Sequence, residues 1–529
     1  MSIIHRPSSI IHRPWYIVLC TLYIVLGTSS ARAQTMVYLE RADSLRFEQE
    51  RIADAQILKG NVKFRHEDAL MYCDSAYFYE KTNSLDAFGH VRFVQGDSLR
   101  GFGDKLFYDG NTKLARLRRH VKWVHGLPDE NPTILTTDSL NYDRRTGIAY
   151  YYTGGVVEDS LNTLTSLRCN YKTSTKQAVF SKEVKLVNPK FVLTSDTILY
   201  NSATKIADIV SPTDIIYEEE TDITTSRGWY NTHTEKSMLL DRSVVHHTDG
   251  RIMTGDTIYY DKQIGFGEIF GDLEMVDSAQ HITLTGDYGQ MWEENSRGFA
   301  TDSALMVDWS DSTHLAYVHA DTLFTEERHY TDSALMDSTY RLVRAYYGVR
   351  VFRDDMQMVC DSMEYWGSDS TIHLFKKPVS WSDNQQMSAD SMIAYIVNST
   401  VEHMVGTGNA LCVMQDTLDL FNQMSGKEVT AYMQDGEMKL VDMSGNALTI
   451  YFAKESDGSY VGINTTESSF IRMYVEEGKM HHMRFTKETT GVLYPMDQIP
   501  SGGDRLALFF WADEVRPTGP QDVFRKVER

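Results

Sequence analysis

The sequence predicts an elongated, all-β protein built from repeats of about thirty residues. A string of Asp, then Ser or Thr, then Tyr about four places after the Asp recurs at nearly constant spacing. A second string, Val-x-apolar, alternates apolar and polar residues with the period of two that a half-buried strand requires. After the first 33 residues, no segment shows convincing helical periodicity.

The composition supports a folded, acidic protein. The chain has 529 residues, of which 42% are hydrophobic and 24% charged, which excludes bulk disorder and collagen-like or low-complexity architectures. Thirty tyrosines against eleven prolines favour β structure. With 52 basic and 73 acidic residues, the formal charge is −21, so we expect no nucleic-acid partner and no affinity for anionic membranes.

Residues 1–33 have the features of an export signal. A basic stretch with Arg6 and Arg13 precedes an apolar run from Trp15 to Gly27, which is too short to span a bilayer comfortably. The small-x-small pattern that ends at Ala33 suits a signal peptidase, so we predict cleavage there. The alternative is an uncleaved membrane anchor.

The first repeated string predicts a turn at each copy, because Asp, Ser and Thr side chains close turns through bonds to the backbone. Successive copies lie 29 to 34 residues apart, apart from one slip in phase after residue 256. A calcium-binding turn is a weaker alternative, since each copy supplies a single carboxylate. The copies start at Asp74, Asp104, Asp138, Leu167, Asp196, Ser226, Asp256, Asp302, Asp332, Asp361 and Asp390.

The second string predicts the strands between these anchors. Gly opens several copies, such as those at Gly60 and Gly89, and suits a position with unusual backbone angles. Units of this kind cannot bury their apolar faces alone and must stack, as an all-β solenoid or a jelly roll of two facing sheets. About thirteen periods fit between residues 45 and 450. If each period adds two strands to each sheet, at about 4.8 Å between strands, the stack would be a rod of roughly 130 Å. The repeat domain is predicted at 34–415, with variant repeats or a cap at 416–529.

No residue is predicted to be catalytic, and no cofactor or metal is expected. The sequence lacks GxSxG, HExxH and P-loop motifs. Cys73, Cys169, Cys360 and Cys412 lack the spacing of a zinc site. We expect them to be small buried residues within strands, and their disulfide pairing stays open.

These motifs resemble the OstA-like (LptA-like) family of lipopolysaccharide-transport proteins. The resemblance rests on the export signal, the Gly-x-Val-x-Phe strands, and Tyr-Asp pairs such as Tyr142-Asp143 and Tyr260-Asp261. The length and the number of repeats are similar to the long OstA-like proteins of the Bacteroidetes group. The resemblance is clear over about residues 36–415 and loose in the tail.

The resemblance implies a periplasmic protein whose β-jelly roll holds lipopolysaccharide acyl chains in an apolar groove and delivers them towards the outer membrane. It also implies end-to-end strand addition with other jelly-roll proteins of this transport system, and an association with the outer membrane. The candidate lipid-binding residues are the apolar positions of the Val-x-apolar strands, which could equally be packed core. They are Val62, Phe64, Val91, Phe93, Val121, Trp123, Leu186, Met275, Val351 and Trp381.

Two other functions fit the same sequence. An exported β-repeat adhesin or scaffold without lipid cargo would have a filled core and an exposed functional face. A β-solenoid enzyme acting on polysaccharide would have a cleft in which two carboxylates converge. Lipid transport instead predicts an apolar slot that runs the length of the rod.

Overall fold

A computed structural model describes residues 35–526, except 49–51, 53, 128–130, 332–336, 418, 435 and 477. The predicted export signal at 1–33 and the anchor at Asp332 lie outside the described residues. The described chain forms 38 strands in one antiparallel sheet, which confirms the all-β prediction. Its helices are single 3-10 turns of three to five residues, and none of those described could cross a membrane.

The strands are numbered along the chain. The first twenty are β1 (Tyr38–Arg41), β2 (Ser44–Phe47), β3 (Gln56–His66), β4 (Ala69–Tyr79), β5 (Ser84–Gln95), β6 (Leu99–Asp109), β7 (Leu114–His125), β8 (Thr133–Asp143), β9 (Ile148–Tyr151), β10 (Gly155–Asp159), β11 (Asn162–Ser166), β12 (Arg168–Lys172), β13 (Gln177–Val187), β14 (Phe191–Asn201), β15 (Ile206–Ile209), β16 (Thr213–Tyr217), β17 (Thr221–Thr225), β18 (Arg227–Asn231), β19 (Lys236–His247) and β20 (Arg251–Asp261).

The remaining strands are β21 (Phe266–Asp277), β22 (Ile282–Trp292), β23 (Arg297–Thr301), β24 (Leu305–Asp308), β25 (Ala316–His319), β26 (Thr322–Thr331), β27 (Asp337–Phe352), β28 (Gln357–Trp366), β29 (Thr371–Phe375), β30 (Val379–Ser382), β31 (Gln385–Ser388), β32 (Ser391–Val397), β33 (Thr400–Thr417), β34 (Leu420–Gln434), β35 (Glu437–Lys454), β36 (Tyr460–Glu476), β37 (Lys479–Thr486) and β38 (Thr490–Pro495). The 3-10 turns are Glu80–Thr82, Glu294–Ser296, Met496–Gln498, Asp513–Val515 and Pro520–Phe524.

A line of β-bulges folds this sheet lengthwise. On β3, Gly60 and Asn61 both have positive φ, +76° and +45°, and the register places the pair opposite the single residue Asp74 of β4. On the next strand, Gly89 and His90 form a second pair opposite Asp74. Strands with such a pair alternate with strands that carry the facing Asp. We call the row that these bulge pairs and Asp residues form across the sheet the corner line. One thirty-residue period is therefore two long strands that both cross the corner.

The prediction of a turn is wrong for most copies of the motif, because Asp74-Ser75 lies in the middle of β4, as Asp196-Thr197 does in β14. The copies that start at Leu167, Ser226, Asp302 and Asp390 do lie at bends between two strands. The prediction of unusual backbone angles at Gly60 and Gly89 is confirmed.

The apparent slip in phase also has a structural reason. The corner residue after Asp256 is Asp287, which faces the bulge at Gly271 and Asp272. Asp287 has no Ser or Thr after it, so the motif misses it. Asp302 itself has positive φ, together with Ser303, which is the geometry of a bulge pair and differs from that of the other Asp anchors.

Polar side chains brace the corner line. Asp74 Oδ2 lies 2.7 Å from His90 Nδ1, and Asp104 Oδ2 lies 2.9 Å from His120 Nδ1. An Asp side chain also fills the space beside the bulge glycines Gly60, Gly89, Gly271 and Gly408, since a Cβ added at Gly89, for example, would stand 2.4 Å from Asp74 Oδ2. Other bulges begin with a larger residue in the same left-handed conformation, such as Arg119 and Lys182.

The fold line divides the sheet into two leaves that face each other. Leaf A contains halves such as 62–66 and 69–73, and leaf B contains 56–59 and 75–79. Rings from the two leaves touch between them, as in Phe64 with Phe78 at 5.4 Å and Trp123 with Tyr142 at 4.7 Å. The two facing sheets of the prediction are thus two halves of one continuous sheet, which encloses the core.

The four cysteines are buried within strands, which confirms the prediction made for them, and no disulfide joins them. Burial raises the pKa of the Cys73 and Cys412 thiols to about 12. Their reactive thiolate form is therefore scarce in the folded protein.

The strands continue through residue 416, since β33 ends at Thr417 and β34 pairs with it. The segment after β38 then turns back over leaf A. On β33, Cys412 faces the core, whereas Leu411 and Val413 face outwards and pack against Phe509 and Trp511. We call residues 499–526 the strap.

Side-chain amides of two glutamines in the sheet, Gln386 and Gln423, hold the strap by hydrogen bonds to its backbone. Gln386 donates to the Phe510 carbonyl at 3.0 Å and accepts from the Ala512 amide at 2.8 Å. Gln423 makes the same two kinds of bond to Asp504 and Leu506. The strap therefore covers an outer apolar surface of leaf A.

Replacing a bulge glycine should destabilise the protein. We expect Gly89→Ala to lower the free energy of unfolding by about 1–3 kcal/mol, because Ala is strained at φ +76° and its Cβ meets Asp74. Gly96→Ala is the control, because Gly96 also has positive φ but has no atom within 4 Å of the added Cβ. Urea unfolding should show the larger loss for Gly89→Ala, and equal losses would contradict the role given to Asp74.

The buried thiols should resist modification. We expect a thiol reagent at pH 8 to label none of the four cysteines of the mature native protein within minutes, and all of them in urea. Because the thiol pKa is higher in the folded state, stability should fall as pH rises above about 9, where unfolded thiols ionise. Rapid labelling of the native protein would show that the leaves open readily.

Candidate functional site

The ten candidate lipid-binding residues lie in different surroundings. Nine are at most 5% exposed, and seven of these belong to one packed core in the N-terminal half. Those seven are Val62, Phe64, Val91, Phe93, Val121, Trp123 and Leu186. Their rings pack against their own neighbours, as in Phe93 with Trp123 at 5.9 Å. The slot expected along the whole rod is therefore filled by side chains in this half.

The other three candidates separate further. Val351 lies in a second core, formed by the C-terminal half. Trp381 lies in a small cluster with Val359 and Val379, against Ala512 and Val515 of the strap. Met275 is half-buried and lines a cavity between the two cores. Lipid contact at all ten residues stays a prediction.

The edge opposite the corner line is where the strand ends of the two leaves meet, and we call it the seam. No ladder joins the leaves there, so side chains alone close it. In the N-terminal half, Arg144 of leaf B pairs with Asp68 of leaf A at 2.6 Å, and Lys205 pairs with Asp159 at 2.8 Å. Lys113 Nζ, 2.6 Å from Glu67 Oε1, lowers the pKa of that carboxyl to about 2.

The tyrosines of the repeat also close the seam, a role that the sequence analysis missed. From leaf B, the Tyr108 hydroxyl contacts His66 of leaf A at 2.6 Å, and Tyr171 contacts His125 at 2.6 Å. Tyr142 reaches Gln95 at 3.1 Å, and Tyr200 reaches Asp159 at 2.5 Å. The sequence pattern that could have revealed this role is the constant position of Tyr four residues after the corner residue. In the structure that position places the ring in the core and the hydroxyl at the end of the strand.

An apolar cavity of about 520 Å³ lies next to the N-terminal half, at the point where these contacts across the seam become few. It follows leaf B from β18 to β27, between the two packed cores. Eight neighbouring strands at about 4.8 Å spacing make its length roughly 34 Å, so it is long and narrow. Its apolar lining includes Ile215, Ile223, Leu239, Val245, Met253, Ile258, Met275, Leu284, Met291, Met306 and Leu323.

The cavity reaches the seam, and its rim consists of strand ends from both leaves. Leaf A contributes residues near 217–221, 247–252 and 276–282, and leaf B contributes Glu235, Lys262 and residues 292–297. The repeat tyrosine at this point, Tyr260, donates to Glu293 of its own leaf. Burial and the nearby carboxylates of Glu218, Glu235 and Glu293 raise the pKa of Tyr217, also on the rim, to about 12.

Few contacts cross the seam at this rim. Lys262 Nζ lies 5.9 Å from the centre of the Tyr217 ring of leaf A, but its ion pair is with Glu293 of leaf B at 3.0 Å. His247 pairs with Asp249 of its own leaf. Among the residues that the structure describes, no ion pair joins the two leaves between β19 and β23, although Lys190 of leaf A pairs at 2.6 Å with Glu235, just before β19. The rim is thus a side opening next to the closed seam of the N-terminal half.

One group of side chains has the spacing of metal ligands. Ligand atoms of His314, Asp354 and Asp355 lie within 4.8 Å of one another. The His314 ring already contacts Asp354 at 2.6 Å, and Arg353 pairs with Asp355 at 2.8 Å. These contacts account for the group without an ion. At the corner line, the Asp side chains bind their bulge partners instead of converging on a shared site.

The architecture defines the protein as a β-jelly roll with an internal apolar cavity that opens between its leaves. Residues 34–196 match the family model described as OstA-like protein. The match supports an OstA-like assignment for this part of the chain, and an OstA-like domain suggests a jelly-roll family of the lipid-transport type. No curated protein matches the chain.

Acid should weaken the closed seam. The pKa of Glu67 is lowered in the folded state, so this carboxylate stabilises the fold above about pH 4.5, and the effect is lost as pH falls towards 2. We expect Glu67→Gln to lower the free energy of unfolding by about 1 kcal/mol at pH 7, since Glu67 is partly exposed, and to have little effect at pH 2.

Urea unfolding at both pH values measures this difference. Lys113→Gln is the matched variant, and adding it to Glu67→Gln should cause little further loss. A loss of equal size at pH 2 and pH 7 would show that Glu67 acts through packing and not through its charge.

Proposed function

We propose that this protein binds and transports lipopolysaccharide in the periplasm, holding an acyl chain in the cavity between β18 and β27. The observation that carries the proposal is the apolar cavity that opens sideways through the seam. The OstA-like match over residues 34–196 supports it, because an OstA-like domain suggests a family of the lipid-transport type. The predicted export signal supports the periplasm as its location.

The energy of such binding comes from the hydrophobic effect. Each methylene moved from water into an apolar site contributes about 0.8 kcal/mol, so ten of them contribute roughly 8 kcal/mol before the costs of association. Most of the charged lining residues do not interfere with this, because they lie at or next to strand ends on the rim, while the lining between the leaves is mostly apolar. The methionines of the lining, such as Met253, Met275 and Met306, can adapt to a flexible chain.

The side opening offers a route that leaves the sheet intact. The leaves share their ladder along the corner line, whereas the rim is held by side-chain contacts alone. An acyl chain can enter there while its polar part stays in water, and no backbone hydrogen bond breaks. Loading and release then need only movement of rim side chains such as Lys262 and Tyr217.

The ends of the sheet provide sites for partners. In the described structure, β1 and β2 pair only with β3, and β37 and β38 pair only with β36. Each leaves backbone groups free to pair with another strand, and Leu45 and Phe47 are more than half exposed there. These edges suit end-to-end addition of other jelly-roll proteins, in a path that leads towards the outer membrane.

Lipid should be recovered with the protein and should contact the cavity. We expect lipid A in mass spectra of the mature protein purified from its own envelope. A photo-crosslinking residue at Met275 should label that lipid, because Met275 lines the cavity. Glu274 is the matched control, since it is the adjacent residue and points to the other face of β21.

The pattern of labelling separates the alternatives. Labelling from Phe64, Phe93 or Trp123 but not from Met275 would place the lipid in the N-terminal core and overturn the cavity as its site. Absence of bound lipid, together with no labelling at Met275, would favour the adhesin or scaffold function.

A further inference from the structure

Arg341 is a charged residue directed into the apolar cavity. It lies on β27 with Val343, which also lines the cavity, and it donates to Thr325 Oγ1 at 3.3 Å. Glu327 stands opposite Arg341 in the ladder, yet no carboxylate of the described residues lies within 4.0 Å of the guanidinium. The contrast is Arg344 on the same strand, which faces outwards and pairs with Glu326 and Glu364, both at 3.2 Å.

The charges around the cavity differ between its two ends. Towards the β16–β19 end, the charged lining residues are Glu218, Glu220 and Glu235, of which Glu235 pairs with Lys190 at 2.6 Å. Towards the β27 end they are Arg297 and Arg341. Arg251, Lys262, Asp277 and Glu293 lie between the ends, where Lys262 pairs with Glu293 at 3.0 Å and Arg251 with Asp249 at 2.7 Å. Arg297 lies over the Trp292 ring at 4.1 Å. An anion is therefore favoured at the β27 end and disfavoured at the β16 end, which would orient an elongated ligand.

The shape of the cavity limits which lipid it suits. Its volume of about 520 Å³ is spread over eight strands, roughly 34 Å at about 4.8 Å spacing, so an extended chain lying along it is the ligand that fits. The narrow shape of the cavity agrees with a single extended chain.

We propose that the cavity binds one long acyl chain whose anionic group, a carboxylate or a phosphate, pairs with Arg341 and Thr325. The chain extends from there along leaf B towards Leu239 and Ile215. This inference rests on the proposed function, since it assumes that the cavity binds lipid. It adds a specificity-determining residue, the charge of the preferred ligand and the number of chains bound.

Three probes with the same sixteen-carbon chain test the inference on the full mature protein. They are hexadecanoate, hexadecyl phosphate and neutral hexadecanol, each measured by displacement of a fluorescent fatty acid at low salt. We expect one site, and both anions to bind at least tenfold more tightly than hexadecanol. A preference for one anion over the other would identify the head group as a carboxylate or a phosphate.

Arg341→Gln should weaken both anions about tenfold and leave hexadecanol unchanged, whereas Arg341→Lys should retain most of the preference. Arg328→Gln is the control, because Arg328 lies on β26 and pairs with Glu326 on the outer face. It should leave all three affinities unchanged. Circular dichroism confirms that each variant is folded.

The outcomes keep the two proposals apart. Equal binding of hexadecanol and the anions, or an Arg341→Gln variant that keeps the preference, would falsify the role of Arg341 while leaving the cavity as a lipid site. Binding of two or more chains would overturn the single-chain limit. If no probe binds but lipid A labels Met275, the inference fails and the proposed function stands.

Discussion

The structure depends on the corner at which every long strand bends. A flat antiparallel sheet of this length would expose one whole apolar face to water. Two successive left-handed residues on one strand, opposite a single Asp on the next, fold the sheet so that this face closes on itself. Since the bulges recur on alternate strands, the line of folding extends along the rod, and the core between the leaves extends with it.

The same constraint explains how far the sequence could be interpreted. On β4, Cys73 and Ala76 both point inwards, so Asp74 and Ser75 are adjacent residues that both avoid the core. In a sequence, such a break in the period of two looks like a turn between strands. The all-β class, the thirty-residue period and the buried cysteines could be predicted, because they depend on local alternation and spacing. The corner could not, because it depends on which residues face one another across strands.

The site was less accessible to prediction for a related reason. Phe64 and Met275 occupy equivalent places in the repeat, but the first is packed and the second lines a cavity. The difference arises from what the opposite leaf presents at each point. The contacts at the seam also depend on what the opposite leaf presents. The repeat tyrosines Tyr108 and Tyr171 form hydrogen bonds across the seam, whereas Tyr260 forms its hydrogen bond within one leaf. A cavity forms where core side chains of the two leaves do not fill the space between them, and it opens where few side chains make contacts across the seam.

The strap is the last part of the fold that can form, because it follows β38 in the chain. Until it has been synthesised, the outside of leaf A exposes an apolar stripe formed by Leu411, Val413 and Phe421. A chain that stops early, or that loses this segment to a protease, keeps the stripe uncovered even if all its strands have formed. An exposed apolar patch of this kind favours association with other chains, so the strap protects the finished molecule from aggregation.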